Sequence, residues 1–263
     1  MRRLSKLADF LIGRSPAARA LQEGAAEPGK LTDAQITRIM ETVKPLTMVH
    51  ESGVRFACEQ TVELIGRKIP GVIVECGVWR GGCSIAMLLA QREAFGYVGR
   101  SVHMLDSFEG LPPVTPRDGP LAQRWQKKAD PANFFDNCKV SLDELKTTLD
   151  AMSFRSEEYQ IWPGWFTNAL PGLVETIEGR GIALLRLDGD WYDSTLVCLE
   201  QLMPLVSEGG VVIIDDYYAW DGCARAVHDY LSRHDLPYRI RSLFNCYGAY
   251  FIKKPFRDRF DVL

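Results

Sequence analysis

Four short apolar runs alternate with segments of helical periodicity along the middle of the chain. The runs are Val72–Val74, Val102–Leu105, Ile182–Leu185 and Val211–Ile214. Between them, Ser84–Phe95 and a segment near Ser194–Val206 have the composition and apolar spacing of helices. Near-continuous apolar strands that alternate with helices are typical of a parallel sheet covered on both faces. We therefore predict an α/β fold with a doubly wound, mostly parallel sheet.

Each apolar run leads into an acidic residue. These residues are Glu75, Asp106, Asp188 and Asp215. In open α/β sheets, ligands bind beyond the carboxyl ends of the strands. We therefore expect the four acidic side chains to face one common site.

Two helices are predicted before the first strand. Thr32 and Gln35 have the spacing of a capping box, which predicts a helix that begins there. A second helix is predicted from about Glu51 to Arg67, because the sequence Ile-Pro-Gly that follows ends a helix.

Residues 1–30 are expected to form an appendage to a single domain that spans residues 31–263. The end of this appendage, residues 23–29, has the composition of a flexible linker. Before the linker a short amphipathic helix is predicted, with an apolar face formed by Leu4, Leu7, Ala8 and Leu11. Basic residues near the start leave an organelle-targeting presequence as an alternative.

Proline and glycine are concentrated between residues 111 and 131. This composition predicts a long loop, and loops of such length in compact domains are commonly lids over a binding site. We expect residues 111–131 to form a mobile lid.

The overall composition is that of an ordinary globular protein. The 263 residues are 46% hydrophobic and 25% charged, with a net charge of -3 and a pI of about 5.9. The chain therefore lacks the broad basic surface of a nucleic-acid binder, and no apolar stretch is long enough to cross a membrane. Its seven cysteines contain no C-x-x-C pair, which favours reduced thiols in a cytoplasmic protein.

Gly77, Gly81 and Gly82 follow the first strand and precede a helix. Glycines at such a turn let the backbone approach a ligand closely, and the helix N-terminus beyond them favours an anionic group. The spacing differs from the dinucleotide fingerprint G-x-G-x-x-G. A tight turn that binds no ligand is the alternative.

Asp106 ends the second strand, where an acidic group typically bonds the ribose hydroxyls of an adenosine-containing ligand. Ser107 and Phe108 follow it and offer a hydroxyl and an aromatic ring to a purine. Phe108 can equally serve as an apolar residue that anchors the loop. Together with the glycine turn, Asp106 favours an adenosine ligand.

Four carboxylates follow the last two predicted strands: Asp188, Asp190, Asp215 and Asp216. Carboxylates that converge at one edge of a sheet repel one another unless a cation joins them. Oxygen ligands without His or Cys nearby suit Mg²⁺, Mn²⁺ or Ca²⁺ rather than zinc. The alternative is that some of these residues cap helix N-termini.

Five segments carry a resemblance to a known family. They are VECGVWRGG at 74–82, LDSFEGLP at 105–112, GWFTNALP at 164–171, LLRLDGDWYDST at 184–195 and VVIIDDYYAWDGCARAVHDYL at 211–231. In combination they resemble the metal-dependent sugar O-methyltransferases of macrolide and aminocoumarin antibiotic biosynthesis, the macrocin, mycinamicin and novobiocin type. The resemblance spans about residues 45–255 and implies a class I methyltransferase fold with S-adenosylmethionine as cofactor.

The resemblance also implies roles for individual residues. Asp188, Asp215 and Asp216 would hold Mg²⁺ or Mn²⁺, and Asp190 would be the general base. The residues that would contact S-adenosylmethionine are Thr47, Met48, Glu75, Gly77, Gly81, Ser84, Asp106, Ser107, Phe108, Gly164 and Trp165. Trp191 and Asp193 depart from the family, in which Leu and Glu are expected at these positions.

This set of residues suits methyl transfer to a hydroxyl. Coordination to a divalent cation lowers the pKa of a hydroxyl and fixes its oxygen, and a nearby carboxylate accepts its proton. Together with the family resemblance, which implies a sugar hydroxyl of a glycosylated small molecule as the acceptor, this leads us to expect a cytoplasmic, Mg²⁺-dependent methyltransferase without nucleic-acid or membrane partners. A catechol-type phenol is an alternative acceptor.

Two other classes of protein and the oligomeric state stay open. A non-catalytic module that binds an adenosine ligand is one alternative, which the four intact carboxylates argue against. An NAD-dependent oxidoreductase is the other, which the missing G-x-G-x-x-G motif disfavours. The sequence does not decide between a monomer and a homo-oligomer.

Three further residues are not assigned a catalytic role. His228 lies on a predicted helix well past the strand end, and His103 lies inside a strand. Trp125, which has basic neighbours, is expected to anchor the lid or to meet an anionic group of the substrate rather than nucleic acid.

Overall fold

The computed structural model describes residues 30–128 and 138–254. The predictions for residues 1–29, for the last residues of the lid at 129–131 and for the end of the domain at 255–263 lie outside these ranges.

Within these ranges the chain forms eight α-helices and seven strands. The helices are α1 (Asp33–Val43), α2 (Glu51–Gly66), α3 (Gly82–Phe95), α4 (Gly119–Lys128), α5 (Leu142–Ala151), α6 (Phe166–Thr176), α7 (Tyr192–Leu202) and α8 (Asp221–Arg233). The strands are β1 (Val72–Cys76), β2 (Val102–Asp106), β3 (Tyr159–Pro163), β4 (Ile182–Leu187), β5 (Val206–Ile214), β6 (Arg241–Ser242) and β7 (Ala249–Ile252). Short 3-10 turns occupy Lys44–Leu46, Pro116–Asp118 and Met203–Leu205.

The seven strands form one sheet in the order β3-β2-β1-β4-β5-β7-β6. Strands β1 to β5 pair in parallel, whereas β7 runs antiparallel between β5 and β6. The strand order reverses between β1 and β4, which is where doubly wound sheets bind ligands. The prediction of a doubly wound, mostly parallel sheet is confirmed.

Both faces of the sheet are buried because alternate side chains of each strand pack on opposite sides. On one face, Leu184 and Ile213 join an apolar core with α1, α2 and α3. On the other, Leu185 and Val212 pack with α6, α7 and α8. This two-sided burial explains why the strands have continuous apolar runs instead of alternating ones.

The predicted starts of the first helices agree with the structure. Thr32 Oγ1 accepts a hydrogen bond from the N–H of Gln35, and Gln35 Oε1 accepts one from the N–H of Thr32. This reciprocal pair is the predicted capping box and it begins α1. Helix α2 follows at Glu51–Gly66, close to the predicted limits.

The predicted limits of the helix after β4 were wrong. Helix α7 ends at Leu202, and Val206, taken as the end of the helix, is the first residue of β5. Pro204 lies between them in a 3-10 turn and cannot continue the helical hydrogen bonds, because its nitrogen carries no hydrogen.

Residues 111–131 do not form a single loop, so this expectation was wrong for most of the segment. A 3-10 turn at Pro116–Asp118 leads directly into α4. Proline is tolerated in the first turn of a helix, where its missing N–H would have no partner. The prolines that suggested a loop therefore include residues that begin helical turns.

Asp118 attaches this segment to the rest of the domain. Its side chain caps the 3-10 turn through Thr115, and its Oδ1 accepts a hydrogen bond from the N–H of Tyr192 at 2.7 Å. Only 1% of Asp118 is exposed. The start of the segment is thus fixed against the N-terminus of α7, and motion of the remainder on ligand binding stays a prediction.

Within the described residues, none of the helices combines the length and the apolar character that crossing a bilayer requires.

Candidate active site

Two cavities open at the carboxyl edge of the sheet and share part of their walls. The first has a volume of about 300 Å³, and its wall includes Gly77, Asp106 and Trp165. The second has a volume of about 430 Å³, and its wall includes Asp215 and Trp220. The residues that belong to both walls are Met48, Trp79, Leu111, Cys138, Asp188 and Asp190.

Gly77 brings the loop after β1 against the loop after β4. Its φ is +90°, and a Cβ at this position would overlap the carbonyl oxygen of Asp188. The N–H of Asp188 donates to the carbonyl of Cys76 at 2.8 Å, which closes the two loops on each other. Glycine is therefore required here by both the dihedral angle and the close backbone contact.

Asp106 joins the glycine-rich turn to the loop after β2. Its Oδ2 accepts hydrogen bonds from the N–H groups of Val78 and Trp79, both at 2.9 Å, and its Oδ1 accepts one from Phe108 at 2.8 Å. Burial raises the pKa of Asp106, while these N–H groups lower it. Because each carboxylate oxygen can accept more than one hydrogen bond, acceptor capacity remains for a hydroxyl in the first cavity.

Glu75 lies in the wall of the second cavity and is 1% exposed. It accepts a hydrogen bond from the hydroxyl of Ser84 and another from Arg186 Nη1, the latter at 2.6 Å. Burial raises the pKa of Glu75 to about 7, although the charge of Arg186 acts in the opposite direction.

The other predicted cofactor residues divide into two groups. Those in the cavity walls are Thr47, Met48, Ser107 and Trp165. Those outside the described walls are Gly81, Ser84, Phe108 and Gly164. Gly81 packs against Leu145, Phe108 packs on the apolar core, and the N–H of Gly164 donates to the carbonyl of Asp106. Direct contact with a cofactor stays a prediction for all of these residues, including those in the cavity walls.

Asp188, Asp215 and Asp216 converge at the end of β4 and β5, as the sequence predicts. One carboxylate oxygen of each lies within 4.8 Å of the others. Asp188 and Asp215 contact Arg186 at 2.8 and 2.6 Å. Asp216 Oδ2 accepts a hydrogen bond from the N–H of Asp190 at 3.1 Å.

Helix capping does not account for these carboxylates. The N-cap positions of α7 and α8 are Trp191 and Trp220, and neither makes a side-chain capping bond. The acidic residues therefore do not cap the N-terminus of α7 or α8, as the alternative interpretation expected.

Burial and the nearby carboxylates raise the pKa values of Asp215 and Asp216. Burial is the largest cause for both Asp215, whose pKa rises to about 6, and Asp216, whose pKa rises well above its usual range. Neighbouring carboxylates add to the rise in both residues, while Arg186 opposes it at Asp215. A cation near this cluster would offset the repulsion.

Asp190 lies where the two cavities meet and is held by its side chain and its backbone. It has a left-handed φ of +56°, which is uncommon for a residue with a side chain. Its Oδ1 accepts a hydrogen bond from the indole N–H of Trp220 at 2.9 Å. Burial, followed by the charge of Asp188, raises the pKa of Asp190 to about 8.

This arrangement of glycine turn, acidic strand ends and paired cavities has a counterpart among known proteins. A protein-family model described as macrocin O-methyltransferase (TylF) matches residues 42–253. The chain belongs to this family. The resemblance drawn from the sequence is confirmed, and so is the expected class I methyltransferase fold.

Individual relatives agree with the family match. One relative is the 8-demethyl-8-(2,3-dimethoxy-alpha-L-rhamnosyl)-tetracenomycin-C 4'-O-methyltransferase of Streptomyces olivaceus. The two sequences are 41% identical over 179 residues, which cover 68% of this chain and 64% of that one. This chain is 37% identical over 174 residues to the demethyldecarbamoylnovobiocin O-methyltransferase of Streptomyces niveus, covering 66% of this chain and 63% of that one. The chain thus spans just under two thirds of the length of these relatives.

A solved structure of a similar protein has the same fold. The O-methyltransferase NovP superposes with a TM-score of 0.67 at 30% identity, over 80% of this chain and 83% of that chain. The fold and the family therefore agree.

In this member of the macrocin O-methyltransferase family, sequence analysis missed one residue of the acidic site. Arg186 lies on β4 with 1% of its surface exposed, and it contacts Glu75, Asp188 and Asp215. A signal was present, because Arg186 is the one charged residue in the apolar strand Ile182–Leu187. A buried charge is costly unless it is paired, so its position implies partners.

Three tryptophans from three elements form a cluster beside Asp190. The ring of Trp191 lies 5.1 Å from that of Trp220 and 5.9 Å from that of Trp125, which belongs to α4. Trp191 is one of the two positions that we expect to depart from the family pattern, and its indole N–H donates to the carbonyl of Pro112. The expectation that Trp125 anchors the 111–131 segment agrees with these contacts.

Of the histidines, His228 and His103 lie outside both described cavity walls, whereas His50 lies in one of them. His228 contacts the hydroxyl of Tyr217 and lies outside both described cavity walls. His103 is buried, and its Nδ1 accepts a hydrogen bond from the indole of Trp162 at 3.2 Å. His50 was not singled out by the sequence, yet it lies in the wall of the second cavity, because the start of α2 folds over that cavity.

Proposed function

We propose that this protein is an S-adenosylmethionine-dependent O-methyltransferase that acts on a sugar hydroxyl of a glycosylated small molecule, with a divalent cation at its acidic cluster. The observation that carries this proposal is the shared wall of the two cavities, in which Asp188 and Asp190 face both. A methyl donor in one cavity and a hydroxyl acceptor in the other would meet beside these two carboxylates. Membership of the macrocin O-methyltransferase family supports the same reaction.

The first cavity suits the cofactor. Asp106 lies in its wall with acceptor capacity for ribose hydroxyls, and Trp165 and Met48 add apolar surface. Glu75 lines the second cavity beside the glycine turn, so the methionine end of the cofactor would extend from the first cavity toward the wall that the two cavities share. When bound, S-adenosylmethionine supplies an electrophilic methyl group.

The acidic cluster has the donors that a hard divalent cation prefers. Asp188, Asp215 and Asp216 offer only oxygen atoms, which suits Mg²⁺ or Mn²⁺. One oxygen of each carboxylate contacts Arg186 or accepts a hydrogen bond from the N–H of Asp190, and the other oxygen is left for an ion. When bound, such a cation supplies positive charge that lowers the pKa of a nearby hydroxyl.

Asp190 is the residue that would accept the proton of the acceptor hydroxyl. It is two residues beyond Asp188 and borders both cavities. Its Oδ1 is occupied by the indole of Trp220, so its Oδ2 is the oxygen available to a hydroxyl. Trp125 and Trp220 of the tryptophan cluster line the second cavity beside it.

Mass spectrometry tests the reaction directly. The protein is incubated with S-adenosylmethionine, Mg²⁺ and a panel of glycosylated natural products, their sugar-free aglycones and a simple catechol. The proposal expects one added methyl group on the sugar of a glycosylated acceptor, lost on adding EDTA and regained with excess Mg²⁺. Methylation of the catechol or the aglycone alone would refute the sugar acceptor, and activity in EDTA would refute the cation.

Calorimetry separates cofactor binding from turnover. S-adenosylhomocysteine should bind and NAD should not. Asp106→Ala should weaken that binding roughly tenfold to a hundredfold, because it removes hydrogen bonds to a charged acceptor. Glu109→Gln, an exposed neighbour, is the control. Equal affinity in both variants would remove Asp106 from the cofactor site.

A further inference from the structure

Arg186 is the common partner of carboxylates from three adjacent strands. Its guanidinium contacts Glu75 of β1 at 2.6 Å, Asp188 after β4 at 2.8 Å and Asp215 after β5 at 2.6 Å. The side chain is 1% exposed, whereas those of Asp188 and Asp215 are 24% and 20% exposed. The arginine therefore lies behind the two carboxylates, on the side away from the cavity.

The shape of the guanidinium gives this contact a direction. Its planar fork binds carboxylates from fixed angles, unlike the compact ammonium of lysine. Arg186 Nη1 donates hydrogen bonds to Glu75 Oε1 and Asp188 Oδ2, and Arg186 Nη2 forms an ion pair with Asp215 Oδ1 at 2.6 Å. One oxygen each of Asp188 and Asp215 is thereby engaged by Arg186, and the second is free of this contact in residues that both line the second cavity.

We propose that Arg186 is a positioning residue, which holds Asp188 and Asp215 so that each offers a single oxygen to a divalent cation. The inference rests on the proposed function, because it concerns the same acidic cluster. Arg186 does not touch the acceptor or the cofactor. It sets the geometry of the ligands in advance and keeps the three carboxylates apart without occupying the cation position.

A simple structural ion pair is the competing explanation, and burial alone does not exclude it. Buried ion pairs contribute little net stability when compared with apolar residues of similar size. Here, however, an apolar side chain at position 186 would leave Glu75, Asp188 and Asp215 facing one another without a counter-charge. The arrangement has a clear use only if the outer oxygens serve a ligand.

Metal-binding calorimetry with Mn²⁺ distinguishes the two explanations. Arg186→Lys keeps the positive charge but cannot bridge the carboxylates, so Mn²⁺ affinity should fall at least about tenfold. S-adenosylhomocysteine binding without metal should change much less. Arg92→Lys is the matched control, because Arg92 pairs with the buried carboxylate of Glu158 at 2.9 Å far from the cluster. This control should bind Mn²⁺ as the wild type does.

Three outcomes would overturn the proposal. Unchanged Mn²⁺ affinity in Arg186→Lys would assign the arginine to a structural ion pair. Tighter Mn²⁺ binding in Arg186→Gln would show that the arginine only competes with the cation. Absence of Mn²⁺ binding in the wild-type protein would remove the cation site itself, and with it the cation in the proposed function.

A crystal structure of the wild-type protein with Mn²⁺ tests the inference even if the arginine variants do not fold. Asp188 and Asp215 should each bind the ion through one oxygen, with the other oxygen still on Arg186. Bidentate binding by either carboxylate, or an Arg186 turned away from them, would contradict the positioning role.

Discussion

Trp220 donates its indole N–H to Oδ1 of Asp190 at 2.9 Å, and this bond fixes the carboxylate at the junction of the two cavities. Trp220→Phe keeps an aromatic ring but removes the donor. Because hydrogen bonds to charged groups contribute about 1.5–3 kcal/mol, turnover should fall roughly tenfold to a hundredfold. The affinity for S-adenosylhomocysteine should stay nearly constant. Steady-state kinetics and calorimetry give the two values.

The control for this substitution is Trp191→Phe. The indole of Trp191 donates to the carbonyl of Pro112 instead of to Asp190, so the same change there should leave kcat closer to that of the wild type. An equal loss of kcat in both variants would show that the cluster, and not the bond to Asp190, matters.

Asp190 and Asp215 should differ in what they contribute. Asp190→Asn preserves shape but removes the proton acceptor, which should slow methyl transfer roughly 10²–10⁴-fold with cofactor affinity unchanged. Asp215→Asn should instead shift the Mg²⁺ dependence of the rate, and excess Mg²⁺ should partly restore it. Rates measured over a Mg²⁺ series separate the two effects. Near-normal turnover in Asp190→Asn would exclude it as the base.

Gly77→Ala should destabilise the protein and weaken cofactor binding. The residue has a φ of +90°, and a Cβ would overlap the carbonyl of Asp188, so the two loops must separate. Gly179→Ala is a control, because Gly179 has a φ of +72° with open space around it. It should show only the backbone strain, about 1–3 kcal/mol. Urea unfolding measures the loss of unfolding free energy in each variant. Equal losses in the two variants would contradict the prediction.

His103 should make stability depend on pH. Burial lowers its pKa to about 4 from an ordinary value of 6.5, so between these values the unfolded chain binds more protons than the folded one. The contribution of neutral His103 to the free energy of unfolding is complete above about pH 6.5 and is lost as the pH falls toward 4. His103→Gln should therefore reduce the loss of unfolding free energy between pH 7.5 and pH 5. The exposed His234→Gln is the control, and matching pH profiles in the two variants would contradict the assignment.

The central strands and the acidic character of their carboxyl ends were predictable from the sequence by itself. Hydrophobic runs that are continuous rather than alternating appear only where both faces of a strand are covered, so β1, β2, β4 and β5 were predictable. Each of these strands leads into an acidic residue, and parallel strands place their carboxyl ends together. The convergence of Asp188, Asp215 and Asp216 followed from that geometry.

Other elements carried weaker local signals. Strands β3, β6 and β7 are short or lie toward the sheet edges, where burial is incomplete and no long apolar run marks them. Helix α4 was hidden by prolines that its first turns tolerate. In both cases the neighbours in space, rather than those in sequence, stabilise the structure.

Only the tertiary structure decided which side chains act together at the site. Arg186 is 111 residues from Glu75 along the chain, yet its guanidinium contacts that carboxylate because β1 and β4 are adjacent. Trp220 reaches Asp190 only because α8 begins beside the loop after β4. A sequence pattern reports which face of an element is buried, whereas partners of opposite charge or shape are chosen by the packing of elements that are distant in the chain.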